Sequence, residues 1–424
     1  MSQSAPTRRS EPDQLFLVYV NEDSAEDAYV EAELEGLVEA AEAEVAGFTR
    51  QRVSHRMRGT YIGKGKVEEI KMAAAEVNAD AVVFDCELSG MQYKNLEEAF
   101  GRRVIDRTQL ILDIFARRAR TREGMLQVEL AQLTYMLPRL MTVYTKFERQ
   151  QGGIGVGMRG PGETKLESDR RMVRDKIAKL KGDIEGVKKH RALQRESRRE
   201  QPYPFVAIVG YTSAGKSTLM NRLTNAGVLA DAMPFATLDP TTRKVDLPDG
   251  FSFFLTDTVG FIRNLPTQLV AAFRATLEET VAADLLLHVV DASHPEWEVQ
   301  HGAVLETIND LGAADVPIVT VFNKIDLLET TEPRRLVAEW PNSVAISAQT
   351  GEGIDALFDA VKRMLADRLG HISALVPYDH ANLVEQSYSF GRVLEKEYRE
   401  EGIWLVAELA PEMRGKLEAF RHEG

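Results

Sequence analysis

FVAIVGYTSAGKSTLMNRLT, residues 205–224, sets an apolar strand, a glycine-bearing loop and a helical pattern in immediate succession. The loop, GYTSAGKS from Gly210 to Ser217, carries the spacing G-x-x-x-x-G-K-[ST] in the strand-then-helix context that this motif requires. Gly210 and Gly215 let the backbone turn so that its N–H groups face a phosphate, and the positive end of the following helix adds to the field. Lys216 then reaches the β and γ phosphates of a nucleotide, and the Ser217 hydroxyl is placed to ligate Mg²⁺.

Downstream, strand-like runs alternate with helical patterns: FSFFLTD, DLLLHVVDA, PIVTVFN and SVAIS follow FVAIVG. That alternation predicts an α/β, doubly wound, mainly parallel sheet, whose ligands bind at the carboxyl ends of the strands. The remaining motifs fall at such ends. Asp257-Thr258-Val259-Gly260 follows FSFFLT, which places a carboxylate to hold Mg²⁺ through water and leaves the Gly260 N–H for the γ-phosphate. Asn323-Lys324-Ile325-Asp326 follows PIVTVF. A carboxylate there accepts two hydrogen bonds from the N1–H and exocyclic amine of guanine, donors that adenine does not present, so Asp326 is expected to select GTP over ATP. Ser347-Ala348-Gln349 fits a loop whose backbone N–H meets the guanine O6. Between the phosphate loop and DTVG, the segment MPFATLDPTTRKVD offers threonines to sense the γ-phosphate. Thr237 is favoured, with Thr241 and Thr242 left open by spacing. This segment and FIRNLPTQLVAAF after Gly260 are expected to be switches, ordered by the triphosphate and released after hydrolysis.

The 424 residues suit two to four domains. The expected division is an N-terminal α/β domain at 1–105, a helical linker with a glycine-rich loop at 106–200, the nucleotide domain at 201–369 and a small C-terminal α/β domain at 370–424. In the first part, QLFLVYV reads as a strand, Ala25 to Ala46 as a helix, VEEIKMAAAEVN as a helix and ADAVVFDC as a strand. Pro138 is expected to kink or end the second of two helices between Asp106 and Gln150. Six of the eleven residues from Gly152 to Gly162 are glycine, which predicts a flexible or ligand-facing loop, and a long charged helix is expected from Glu163 to Arg199. Net charge is −13, yet residues 102–200 hold 24 Lys and Arg against 13 Asp and Glu. Ten carboxylates and no base lie between Glu22 and Glu44. The basic stretch can attract nucleic acid and the acidic one repels it; solvated helix faces are the plainer explanation of both. With Cys86 the only cysteine, no apolar leader and no run near 18 apolar residues, a cytoplasmic chain that does not insert in a membrane is expected.

These residues resemble the HflX translational GTPases, relatives of the Obg group. The likeness rests on GYTSAGKST, FATLDPTTR, DTVGFIRNLP, NKIDLL and SAQTGEG, and equally on YIGKGKVEEI at 61–70, RVIDRTQLILDIFARRARTREGMLQVELAQL at 103–133 and ERQQGGIGVGMRGPGETKLESDRR at 148–171. It implies a monomeric, Mg²⁺-dependent GTPase that cycles between GTP and GDP. It also implies binding to the ribosomal RNA of the large ribosomal subunit near the peptidyl-transferase region, and splitting or rescue of stalled ribosomes under stress. Carried across by motif, the nucleotide contacts are Gly210, Tyr211, Thr212, Ser213, Ala214, Gly215, Lys216 and Ser217; Phe235, Ala236, Thr237, Leu238 and Asp239; Asp257, Thr258, Val259 and Gly260; Asn323, Lys324, Ile325 and Asp326; and Ser347, Ala348 and Gln349. The implied Mg²⁺ ligands are Ser217 and Thr237.

Two positions bear on mechanism. Where many regulatory GTPases place a water-orienting glutamine, this chain has Phe261, so slow intrinsic hydrolysis is expected, with positioning supplied by the switches or by a bound ribosome. Ser213 stands where related GTPases often carry a potassium-coordinating asparagine, which weakens the case for potassium stimulation. Elsewhere the plainer readings compete. Gly63-Lys64-Gly65-Lys66 reads as a turn presenting two lysines to RNA or water more readily than as a second nucleotide loop, and Arg117, Arg118, Arg120 and Arg122 read equally as phosphate contacts or helix-face salt bridges. Trp404 is expected in a core. A GTP-gated regulator of a protein partner, with little turnover, is the alternative function; an ATP-driven RNA remodeller is disfavoured by Asp326.

Overall fold

The computed structural model describes residues 12–21, 27–53, 55–142, 168, 170–187, 203–224, 234–235, 240–247, 251–263, 280–366, 370–409 and 411–422. They form two compact units: Met1–Glu185 with Met233–Phe235 and Pro266–Ala272, and the rest of the chain.

In the first unit β1 (Gln14–Asn21), α1 (Asp27–Ala40), β2 (Glu44–Arg52), α2 (Lys64–Glu76), β3 (Ala81–Phe84), α3 (Gly90–Phe100), β4 (Arg103–Asp106), α4 (Arg107–Arg118) and α5 (Arg122–Thr142) follow one another, and a further helical stretch covers 170–185. The strands make a parallel sheet of order β2-β1-β3-β4. Leu17, Val18 and Tyr19 are all fully buried, so β1 is covered on both faces, as parallel sheets require. Val18, Phe84, Ile70 and Leu96 share one core cluster. Asp106 joins the elements. Its Oδ1 accepts from Gln109 N at 2.9 Å and caps α4, its Oδ2 accepts from Leu88 N at 3.0 Å, and Tyr135 and Arg139 of α5 both donate to it. Burial raises its pKa, and the Arg139 charge opposes that.

Several sequence expectations need correction. The first helix stops at Ala40, not Ala46, because Glu42 takes a left-handed conformation (φ 58°) and turns the chain into β2. No glycine or proline marks that break. Helix α3 and strand β4 were not anticipated; α3 begins at a capping box in which Ser89 N donates to Gln92 Oε1 at 2.9 Å and Ser89 Oγ accepts from Gln92 N, and it ends at left-handed Gly101. Pro138 does not end α5, which runs on to Thr142, since proline removes only its own N–H bond late in the helix. Gly63-Lys64-Gly65-Lys66 is the start of α2, with Lys66 turned to Thr49 and Glu69. Arg117 pairs with Glu42 at 2.7 Å, a helix-face ion pair. The 152–162 loop lies outside the described residues.

The second unit holds β5 (Phe205–Gly210), α6 (Lys216–Thr224), β6 (Thr241–Asp246), β7 (Ser252–Asp257), β8 (Leu285–Asp291), α7 (Trp297–Asp310), β9 (Ile318–Asn323), α8 (Glu332–Glu339), β10 (Ser343–Ala345) and α9 (Ile354–Ala366). The sheet runs β10-β9-β8-β5-β7-β6; all neighbours are parallel except β6, which pairs antiparallel with β7 at the edge. This is the expected mainly parallel α/β sheet. Strand β6 was not anticipated, because TTRKVD is polar and an edge strand needs no apolar alternation. Leu285, Leu287 and Val289 of β8 enter the main core with Ile208, Leu255 and Val321. Then β11 (Gly370–Val376), α10 (Ala381–Ser389), β12 (Gly391–Arg399), β13 (Gly402–Leu409) and α11 (Pro411–Leu417) build an antiparallel sheet of order β11-β13-β12 over its own core of Ile403, Leu405 and Ala407; Trp404 is buried outside that cluster, under the Arg399 guanidinium and against His422.

On the other face of β8, His288 stacks on His301 of α7 with ring centroids 4.7 Å apart, and His301 abuts Trp340 at 4.8 Å. Neither Nδ1 has a hydrogen-bond partner. Burial holds both imidazoles below their ordinary pKa, His288 well below. The unfolded chain protonates both near pH 6.5, so their contribution is fully present above that pH and lost as pH falls below it, at about 1.4 kcal/mol per proton per pH unit. The thermal midpoint is expected to drop between pH 7.5 and 5.5, and His288→Leu to reduce that drop by roughly half; calorimetry showing an unchanged drop would refute the assignment.

Candidate functional site

The described sequence-predicted residues of the second unit converge at the carboxyl ends of β5, β7, β8 and β9. The loop after β5 is shaped by its glycines. Gly210 has φ 154°, and a Cβ there would meet Val289 O at 2.3 Å; Gly215 has φ 94°, and its Cβ would meet Asn323 Nδ2 at 2.3 Å. Neither position accepts a side chain. Ser213 is also left-handed, at φ 60°. Lys216 opens α6 and is 7% exposed; its Nζ donates to Gly210 O at 3.1 Å and Tyr211 O at 2.7 Å, filling the concavity of its own loop. Burial lowers its pKa to about 8, and the charge of Asp257 acts the other way.

Ser217 and Asp257, from different elements, meet: the Ser217 hydroxyl donates to Asp257 Oδ2 at 2.8 Å. Thr258 Oγ1 donates to Ile208 O at 2.6 Å, which pins the end of β7 to β5. Phe261 N donates to Gly210 O at 3.0 Å, and Thr212 N donates to Phe261 O at 2.8 Å, so the DTVG loop is laced to the phosphate loop through main chain. Gly260 lies between them. A Cβ there would stand 3.0 Å from both Lys216 Nζ and Thr212 Cγ2. Phe261 is 2% exposed, with Val259 also buried, and the Tyr211 hydroxyl accepts from Arg263 N at 2.8 Å.

At the end of β9, Asn323 is 2% exposed and joins two loops: its Nδ2 donates to Ala214 O at 2.8 Å, and its Oδ1 accepts from Ala348 N at 2.9 Å. Lys324, at φ 65°, pairs with Asp291 Oδ2 at 2.6 Å. Asp291 went unnoticed in the sequence, although a carboxylate closing β8 was legible there. Ile325 is buried, whereas the Asp326 carboxylate is exposed on a 3₁₀ turn. Ser347 is buried and its Oγ accepts from Thr350 N at 3.1 Å; Gln349 is exposed.

The segment before β6 is described only in part. Phe235 belongs to the first unit, where it is buried against Phe115 with ring centroids 4.6 Å apart. Ala236, Thr237, Leu238 and Asp239 lie outside the described residues. Thr241 and Thr242 are strand residues of β6, Thr242 Oγ1 standing 2.9 Å from Thr256 Oγ1. Residues 264–273 of the second expected switch are likewise outside.

Four family models match in register. "GTP-binding GTPase N-terminal" covers residues 29–116, "GTP-binding GTPase Middle Region" 118–198, "50S ribosome-binding GTPase" 205–324 and "HflX C-terminal domain" 334–419. A protein of Caldanaerobacter subterraneus subsp. tengcongensis described as GTPase HflX is 48% identical over 398 residues, 94% of this chain and 91% of the relative. GTPase HflX of Escherichia coli strain K12 is 48% identical over 343 residues, 80% of each. Among solved structures, the complex of SsGBP with GDP is similar at 25% identity and TM-score 0.48, covering 83% of this chain and 98% of that one.

Without a ligand the Lys216 amine loses its proton above about pH 8; a bound phosphate anion favours the charged form and so takes up a proton there. Affinity for a nucleoside diphosphate is therefore expected to be flat up to about pH 8 and to fall above it, approaching tenfold per pH unit. Calorimetric titration at pH 7, 8 and 9 measures this, and constant affinity through pH 9 would mean that the amine is already charged in the free protein.

Proposed function

The chain belongs to the HflX family of GTPases, and on that premise we propose that it is a Mg²⁺-dependent GTP hydrolase that docks on the large ribosomal subunit and uses its nucleotide state to split or rescue stalled ribosomes under stress. The observation that carries the nucleotide reading is the Asn323 bridge, which holds the phosphate loop and the Ser347–Gln349 loop on one side chain. A site so tied measures a fixed distance from phosphate to base.

Each residue then has a role. The N–H groups of the 210–217 loop and Lys216 hold the β and γ phosphates, exchanging the carbonyl partners of the lysine for phosphate oxygens. Ser217 and Asp257 present hard oxygen donors 2.8 Å apart, a set that fits Mg²⁺, with Thr237 as the further ligand implied by the family resemblance. The ion, when bound, supplies positive charge to the β and γ oxygens. Gly260 donates its N–H to the γ-phosphate, from a position where a Cβ would press on Lys216 Nζ and Thr212 at 3.0 Å. Asp326 pairs with the guanine N1–H and amine, and the main chain of Ser347 to Gln349 meets O6.

The buried, main-chain-bonded Phe261 offers the attacking water no hydrogen-bonding side chain. Hydrolysis by the free protein is slow on this reading, and the ribosome supplies the missing positioning in trans. The match of 205–324 to a 50S ribosome-binding GTPase model and the basic 102–200 segment support that partner. Among the described residues no helix is long and apolar enough to cross a membrane. A cytoplasmic monomer, with the four-part division at residues 105, 200 and 369, completes the proposal.

Multiple-turnover GTP hydrolysis, alone and with large ribosomal subunits, tests the function. A rise of at least about tenfold, equivalent to roughly 1.4 kcal/mol of barrier, is expected, with ATP inert; tight GTP binding without stimulation would favour the protein-regulator alternative. Asp326→Asn is expected to weaken GTP binding by roughly a hundredfold, the scale of about 3 kcal/mol for unpaired buried donors, and to strengthen binding of xanthosine triphosphate, whose 2-oxo group accepts from the new amide. Unchanged base preference would remove Asp326 from the guanine contact.

A further inference from the structure

Arg222 lies in the last turn of α6, the helix that Lys216 and Ser217 begin. Its Nε donates to Ala348 O at 3.1 Å and its Nη2 to Gln349 O. Its guanidinium also lies along Gly351, where a Cβ would stand 3.6 Å from Cζ, so one planar fork holds two successive carbonyls of the loop after β10. The peptide plane converts that grip into a direction. The Ala348 carbonyl shares a trans planar unit with the Gln349 N–H, so pulling the oxygen toward Arg222 aims that N–H away from it. The Gln349 carbonyl likewise fixes the Thr350 N–H, which donates to Ser347 Oγ at 3.1 Å. On the near side Ala348 N donates to Asn323 Oδ1 at 2.9 Å, closing the loop's other anchor. Of these three successive N–H groups, the Ala348 and Thr350 donors are engaged inside the protein, and the orientation of the Gln349 donor is set from behind by Arg222.

We propose that Arg222 is a positioning residue for base specificity: by holding the Ala348 and Gln349 carbonyls it presents the Gln349 N–H to the 6-oxo group of guanine. The inference rests on the guanine-nucleotide reading of the site. The phosphate loop and the loop that reads the base thereby share one helix, with Lys216 at its start and Arg222 at its end.

The test compares GDP with 6-thioguanosine 5′-diphosphate, which keeps the N1–H and the 2-amino group that Asp326 reads but replaces the 6-oxo acceptor with a much weaker sulfur acceptor. Titrations use the full chain with Mg²⁺. The unaltered protein is expected to prefer GDP by at least about tenfold. In Arg222→Ala that preference collapses to about twofold, because GDP affinity falls while affinity for the analogue does not. Arg222→Lys, which can hold one carbonyl but not both, is expected to give an intermediate ratio, and it carries the test if the alanine variant does not fold. Equal weakening of both ligands, or a preserved ratio in both variants, would overturn the proposal. No preference for GDP over the analogue in the unaltered protein would likewise overturn it, whereas no preference for GDP over ADP would overturn the guanine reading on which it stands.

Discussion

The carboxamide of Asn323 is the constraint on which the site depends. It closes the interior strand β9, it is almost wholly buried, and its two polar ends are spent on different loops: the donor on Ala214 O, the acceptor on Ala348 N. A buried amide that lost either partner would leave an unpaired polar atom, at a cost of about 1–3 kcal/mol, so the two loops are held in mutual register by the energy of the side chain between them. The 2.3 Å approach that a Cβ at Gly215 would make to the same amide shows how little space the arrangement leaves.

Around that bridge, the site is rigid at the phosphate end. Main-chain bonds between Phe261 and the phosphate loop, together with the Thr258 bond to Ile208, remove freedom from the segment that follows β7. Phe261 is thereby part of the scaffold. On the function proposed above, a partner supplies the chemistry that a polar residue after Gly260 would otherwise provide. Lys216 and Ser217 are meanwhile held by protein groups, Gly210 O, Tyr211 O and Asp257, that stand where a phosphate and a hard cation would act.

Legibility in the sequence followed the length scale of the determining interaction. The phosphate loop, DTVG and NKID were readable because each is a local pattern whose backbone requirement is met within a few residues of itself, and the strands FVAIVG, DLLLHVVDA and PIVTVFN were readable because a central parallel strand is apolar on both faces. Failures came where local pattern and global placement part. β6 is polar because it lies at an edge, β4 is four residues long and pairs only because β3 is beside it, and α1 ends at a left-handed glutamate whose conformation no residue type announced. The capping box at Ser89 and Gln92 was written in the chain and passed over.

The sequence by itself determined the fold class, the family, and the residue types facing phosphate, cation and base, since those follow from periodicity and from motifs in which neighbouring residues act together. Only the tertiary structure decided which distant groups are partners. Asn323 reaches across 109 residues to Ala214, Arg222 across 126 to Ala348, and His288 stacks on His301 from a neighbouring helix. Such pairings depend on strand order and helix placement, and these are set by burial summed over the whole core, which no short stretch of sequence contains.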